Sequence, residues 1–261
     1  MRLRLKLRLT GSEYMTANYN YPLSSAIYSL LKFGSPGFSS FLHDIGYHLD
    51  GKKYKLFTFA LRFENILFGD NRIKLLDDNA YLYISSPLID DFIQNLVLGT
   101  FEKQQIEISG SGNNTRFIIT QVESLPFPFL SEETAFTLLS PLVLSTKHEH
   151  NGSLKQYYLR PDDTSDINRI LSNNLKNKYK LVHGTESDAS GITLEWDKDY
   201  IKRKKRVTKK ITINENGINP IEVIGIQAPF TISGNPELIK TGYECGFGEK
   251  NSMGFGMADT D

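Results

Sequence analysis

The chain opens MRLRLKLRL, and this strict alternation decides what its first element can be. In an extended strand successive side chains point to opposite faces. Leu3, Leu5, Leu7 and Leu9 therefore share one face, and Arg2, Arg4, Lys6 and Arg8 share the other. One face is built for a core. The other is a row of cations that either extends a path for a polyanion or keeps an open sheet face in water. The same alternation argues against a secretory leader, whose apolar stretch would be continuous.

The elements that follow set a mixed order. Pro22 and the helically spaced apolar residues of LSSAIYSLLKF predict a helix that stops at Gly34–Gly37. A short second helix is expected from Phe38 to about Ile45, then a polar loop with Gly51 and two lysines. YKLFTFALRF (Tyr54 to Phe63) alternates as a strand, and RIKLL and AYLYIS flank a hairpin at Asp77-Asp78-Asn79. A helix from Leu88 to about Leu98 and a hairpin with its turn at GSGNN (110–114) complete the first half. Strand, helix, strand, strand, helix, strand is the ferredoxin-like unit.

Pro126 and Pro128 mark a linker, so residues 1–125 and 126–261 are expected as two domains, a division that 261 residues allow. In the second half, strands are expected at Thr137 to Thr146, at ITLEWD, at RVTKKITI and in one run from Ile221, with a helix from Thr164 to about Lys180. Asn235-Pro236-Glu237 has a cap, a first-turn proline and an acid near the positive dipole end, so PELIKTGYEC should be a helix. MGFGM should close the chain as a strand. The fold class is thus α+β, with two tandem ferredoxin-like units, the second carrying a longer middle hairpin.

Composition excludes several classes. One cysteine forbids an internal disulfide and a cysteine zinc cluster, which fits a reducing cytoplasm. No apolar run approaches the ~18–20 residues of a membrane span. Lys plus Arg and Asp plus Glu are 30 each, so only the distribution of charge is informative. Its strongest feature is YIKRKKRVTKKI (Tyr200 to Ile211), whose Lys202, Arg203, Lys204, Lys205 and Arg206 are contiguous. A solvated hairpin tip explains part of it; an RNA backbone is the better partner. Arg62 is a weaker candidate of the same kind.

Near the C-terminus GYECGFGEKNSMGFGM sets Gly246, Gly248, Gly254 and Gly256 around a polar stretch with Lys250. A phosphate-binding P-loop requires a strand before it, and Ser or Thr after the lysine; here Asn251 follows, and a helix precedes. A helix C-cap with a tight bend accounts for one or two of the glycines. Bare amides that let an RNA backbone approach are the alternative.

This spacing, with Phe247 and Phe255 inside the glycine pairs and Glu-Lys-Asn-Ser between them, resembles the glycine-rich loop of the RAMP superfamily. AIYSLLKF, then FLHDIG, then YKLFTFAL, with LSPLVLST opening the second half, narrows the resemblance to the CRISPR-associated endoribonucleases of the Cas-six family, over nearly the whole chain. Such enzymes cut repeat RNA into guide RNAs without a metal or other cofactor. The RNA's own 2′-hydroxyl attacks, leaving 2′,3′-cyclic phosphate and 5′-hydroxyl ends. Histidine suits the proton transfers near neutral pH, and lysine suits the phosphorane charge. By resemblance the family's histidine falls on His43, its tyrosine on Tyr28 and its lysine on Lys55. His48 stands as an alternative to His43, and Lys52 or Lys53 to Lys55. The resemblance implies that Gly246, Gly248, Lys250, Gly254 and Gly256, with the basic hairpin, hold CRISPR repeat RNA in a cleft between facing sheets. It implies a monomer or homodimer, with an effector complex as a further partner. A non-cleaving RNA-binding subunit of such a complex is the rival reading.

Other constellations are weaker. His43-Asp44 looks like a metal phosphohydrolase dipeptide but lacks the helical scaffold and further ligands. His148 and His150 share a strand face without a third ligand. Cys245 reads as a core thiol.

Overall fold

Leu3, Leu5 and Leu7 are at most 2% exposed, and their strand, Arg2–Leu9, is the centre of a five-stranded antiparallel sheet. The computed structural model describes residues 1–110, 113–150, 152–187, 191–213 and 220–260. Across this sheet the strands run Thr58–Phe63, Asn79–Ser85, Arg2–Leu9, Asn113–Leu125, Gln105–Gly110. The leucine face is covered by the helices Asn20–Gly34 and Asn95–Lys103, which bury Leu23, Ile27, Leu30, Leu31 and Leu96 against it.

The second sheet repeats this order. Glu133–Leu138 lies between Phe230–Gly234 and Ala258–Asp259, and Ile192–Trp196 lies outside Phe230–Gly234. The helices Thr164–His183 and Pro236–Cys245 cover it through Ile167, Leu171, Leu175, Leu238 and Ile239. Both lobes are ferredoxin-like. No helix among the described residues is long and apolar enough to cross a membrane.

Several boundaries differ from the sequence reading, each for a local reason. The hairpin expected at Asp77–Asn79 is instead Ile66–Gly69 with Arg72–Leu75, because Asp70 and Asn71 both take positive φ, the turn that matches strand twist. The strand expected over Thr137 to Thr146 ends at Leu138, where Ser140-Pro141 interrupts the ladder, and a separate hairpin starts at Ser145. Pro229 likewise divides the run from Ile221 into Ile221–Ile226 and Phe230–Gly234, which belong to different sheets. The expected second helix is two pieces, an α-helix Pro36–Ser40 and a wide π-type turn Phe41–Ile45. Only Ala258–Asp259 pairs at the chain end, since Gly254 and Gly256 leave the strand conformation. The basic run is not a hairpin tip: Lys198–Lys204 is a helix capped by Asp197, and a strand begins at Thr208. The turn at 110–114 falls partly outside the described residues.

Two cations of the first strand, Arg2 and Arg4, are engaged within the protein. Arg2 is 2% exposed and joins the lobes, donating to the carbonyls of Ala258 (2.8 Å) and Tyr243 (3.1 Å) and to Asp259 (3.0 Å), its guanidinium 3.7 Å from the Tyr243 ring centre. Arg4 pairs with Glu123 at 2.6 Å. Replacing Arg2 strands two buried carbonyls, so Arg2→Leu should cost about 2–4 kcal/mol. Urea unfolding checks this; a midpoint equal to wild type would contradict the bridging role.

Candidate active site

Tyr28 sits on the half-buried flank of helix Asn20–Gly34. That helix stops at Gly34, and Ser35 caps the next one, with Pro36 in its first turn. The Ser39 hydroxyl donates to the Tyr28 carbonyl at 3.1 Å, fixing the two helices together. In the π-type turn, Leu42 is fully buried, which leaves its neighbours His43 and Asp44 outside. Gly46, at φ 67°, closes the turn by donating to the Phe41 carbonyl. Two short strands, Tyr47–Leu49 and Lys52–Tyr54, then lead to Lys55.

Tyr28, His43 and Lys55 come together at one rim. The Tyr28 and His43 rings meet edge to face with centres 5.2 Å apart. Lys55 Nζ donates to the His43 carbonyl at 2.6 Å, and Lys53 Nζ donates to the Asp44 carbonyl. Asp44 Oδ1 lies 2.7 Å from His43 Nδ1. With Nδ1–H donated to that carboxylate, Nε2 is the nitrogen left to exchange protons with a substrate. The hydrogen bond from His43, aided by its charge and those of Lys55 and Lys53, holds the Asp44 carboxyl below its usual range. Burial pulls Lys55 down to about 8, Lys53 adds to the shift, and Asp44 opposes it. Burial pushes the Tyr28 phenol well above its ordinary value, with the Ser252 side chain beside it acting the other way. His48 stands opposite Lys53 in the short hairpin, and Lys52 opposite Leu49.

The glycine-rich loop forms the opposite wall. Its glycines are buried, and packing requires them. A Cβ on Gly256 would fall 1.9 Å from the Phe247 carbonyl oxygen, and one on Gly248 would fall 2.4 Å from that of Val143. The amides of Gly254 and Gly256 are spent on Asn251 and Pro141. These glycines therefore make a corner first; half-buried Lys250, Asn251 and Ser252 span it, and the Asn251 side chain turns inward to the Phe247 and Phe255 carbonyls. Helix Asn20–Gly34 grips this corner through Asn20 (to Met253 O, 2.8 Å) and Ser24 (to Ser252 O, 2.7 Å). From the other lobe, Lys178 Nζ donates to the Gly246 and Gly248 carbonyls and to Asn251 Oδ1 at 2.7–2.8 Å.

Between the loop and the Lys55 side of the rim is a cavity of about 290 Å³, lined by Lys52, Lys53, Lys55, Lys250, Glu249 and Ser252 among others, with Tyr28 and His43 outside its lining. A larger cleft of about 930 Å³ lies between the lobes, walled by Thr58–Phe63 strand residues, Pro141, and Lys209 to Ile211. Arg62, Arg206, Lys209 and Lys210 line it with Phe63 and Phe68.

Two family models match this chain: "CRISPR-associated protein Cas6, N-terminal" over residues 14–123, and "CRISPR associated protein Cas6, C-terminal" over residues 123–260. A relative from Methanocaldococcus jannaschii, "CRISPR-associated endoribonuclease Cas6 1", is 34% identical over 259 residues, 98% of this chain and 91% of the relative. The chain belongs to the Cas6 family. The Pyrococcus furiosus "CRISPR-associated endoribonuclease Cas6" is 26% identical, covering 94% of this chain and 83% of its own. A solved structure, "CRISPR associated protein Cas6", superposes with a TM-score of 0.76 at 32% identity, covering 100% of this chain and 99% of the other.

In this Cas6 chain the sequence reading missed Asp44 as a partner of His43, and missed Lys178 altogether. Lys178 was nonetheless visible: it continues the apolar stripe Ile167, Leu171, Leu175 of its helix, where a lysine is out of place. Lys202, Arg203, Lys204 and Lys205 are exposed on or just past their helix, and only Arg206 of the five lines the cleft. His148 stacks on Tyr157 in its hairpin, and no group of three or more His, Cys, Asp or Glu among the described residues is arranged to hold a metal. Cys245 is buried, which pushes its thiol up to about 12 and keeps it unreactive.

Proposed function

We propose that this chain is a metal-independent endoribonuclease that cleaves CRISPR repeat RNA, with His43, Tyr28 and Lys55 as its catalytic residues. The observation that carries the reading is the meeting of these three side chains, from three different elements, beside a lysine-rich cavity in a chain of this family. A module that only binds RNA has no need of an exposed imidazole held by a carboxylate at one nitrogen and edge to face with a tyrosine ring, on a turn whose carbonyl carries an ammonium. Substrate RNA lies along the cleft of Arg62, Arg206, Lys209 and Lys210, with the exposed cations Lys202 to Lys205 flanking it and Lys250 at the cavity; phosphate contacts of this kind give affinity without sequence. Unpaired bases find aromatic surface at Phe63 and Phe68.

In the reaction His43 Nε2 takes the proton of the 2′-hydroxyl. The 2′-oxygen bonds to phosphorus, and the bond from phosphorus to the 5′-oxygen breaks. Lys55 stabilises the extra negative charge. Tyr28, kept as a neutral phenol by burial, is a donor and not the base. Its proton goes to the departing alkoxide, which is more basic than even a buried phenolate. Solvent restores both side chains, and the products are a 2′,3′-cyclic phosphate and a 5′-hydroxyl.

A synthetic RNA carrying one repeat of the array encoded in the same genome should be cut once in EDTA, with those two ends. Uncut, tightly bound RNA would favour the non-cleaving subunit. Cleavage that requires added divalent ions would overturn metal independence.

The lowered pKa of Lys55 sets a pH limit. The ammonium is charged below about 8 and loses its proton above it, so cleavage should fall as pH rises through that value. Lys55→Arg keeps the charge and should abolish this alkaline limb. Pre-steady-state rates between neutral pH and strongly alkaline pH decide: an unchanged limb in Lys55→Arg assigns it to another group.

A further inference from the structure

Lys178 is a fully buried ammonium in the C-terminal lobe, far in sequence from every residue that the reaction uses. Its three protons meet three oxygens: Gly246 O at 2.7 Å, Gly248 O at 2.8 Å and Asn251 Oδ1 at 2.7 Å. An ammonium has three donors and no acceptor, so this cage satisfies it completely. The held amide of Asn251 in turn donates to the Phe247 carbonyl (3.2 Å) and the Phe255 carbonyl (3.0 Å), tying the two sides of the glycine corner. The next residue, Ser252, accepts from Ser24 at its carbonyl, at 2.7 Å, and Ser24 stands one turn before Tyr28 on the same helix. Burying a charge is costly unless it is fully bonded. A methionine would fill the same space without that cost, so a lysine here points to a requirement for the loop's position.

We propose that Lys178 is a positioning residue for RNA cleavage: from the C-terminal lobe it clamps the glycine corner so that Ser252, through its bond to Ser24, fixes the helix turn that carries Tyr28 and its hydroxyl. The proposal rests on the reading of Tyr28 as catalytic. It makes cleavage depend on contact between the lobes, although the histidine, tyrosine and lysine all belong to the first one.

The test is a double-mutant cycle on the single-repeat RNA, reading single-turnover cleavage and binding separately. Lys178→Met should slow cleavage roughly 10²-fold, the scale of a displacement of about 1 Å at the reacting groups, while RNA affinity holds. In the Tyr28→Phe background the same substitution should cost almost nothing more, because both act through one hydroxyl. Rates that fall multiplicatively, or a loss confined to affinity or melting temperature, would overturn the proposal. Should Lys178→Met not fold, Ser24→Ala leaves the clamp intact and cuts its last link, the bond to the Ser252 carbonyl; wild-type cleavage by that variant would overturn the proposal equally. If Tyr28→Phe cleaves normally, the reading of Tyr28 falls and this proposal with it. If Tyr28→Phe is slow and Lys178→Met fast, the proposal alone falls.

Discussion

His43→Ala should lose roughly 10²–10⁴-fold in the rate of RNA cleavage, the usual contribution of a positioned general acid or base, and should still bind the repeat. The imidazole side chain is 63% exposed, and its edge contact with Tyr28 leaves that ring packed on Phe57 as well. Removing it therefore takes away a proton carrier without opening a core cavity. His48→Ala is the matched control. His48 lies in the hairpin opposite Lys53, so its loss should leave the rate near wild type. Single-turnover assays on both variants separate the two histidines. Cleavage that survives His43→Ala and vanishes in His48→Ala would move the chemistry to the other ring.

The largest effect on stability is expected at Gly256. Its φ is 71°, and a Cβ there would sit 1.9 Å from the Phe247 oxygen and 2.8 Å from Asn251 Nδ2. The backbone cannot retreat easily, because Phe247 N–H donates to Gly256 O and Gly256 N–H donates to Pro141 O, each at 2.8 Å. Left-handed strain and forced repacking together put Gly256→Ala at roughly 3–5 kcal/mol, or on the order of 10 °C in melting temperature for a chain of this size. Gly37→Ala is the contrast: nothing lies within 4 Å of its added Cβ, in a short helix, so it should be neutral or slightly stabilising. Thermal melts of the two variants side by side test the corner. A mild Gly256→Ala would mean that the loop is loose, and with it the clamp on Tyr28.

Much of the fold was legible because its signals are local. The alternation at Leu3, Leu5 and Leu7 identified a strand with one core face, and Asn235-Pro236 marked a helix start whose cap is made by the Asn235 side chain. What failed was a matter of competition between adjacent signals. Asp70-Asn71 and Asp77-Asp78-Asn79 are both turn sequences, and the strand register that buries Ile73 and Leu75 chose the first. The basic run became a helix because Asp197 accepts the Tyr200 amide, a cap that the lysines next to it obscured.

At the candidate site the motif was legible and the packing around it was not. His43, Tyr28 and Lys55 were placed by resemblance, and they share one rim. The reason for the glycines could not be read from the sequence, because the atoms that exclude a side chain belong to distant residues: Val143 at Gly248 and Phe59 at Gly254. The role of Arg2 was hidden for the same reason. Its carbonyl partners are at the other end of the chain, so the alternation put it in water when it is buried.

The most direct measurement is single-turnover cleavage of a repeat RNA in which the nucleotide before the cut carries hydrogen in place of its 2′-hydroxyl. The account predicts that this RNA binds like the natural one and is not cut at that position, in EDTA or in magnesium. Cutting at the same position at an undiminished rate would show that the nucleophile comes from elsewhere, and that Tyr28, His43 and Lys55 do not perform the reaction assigned to them.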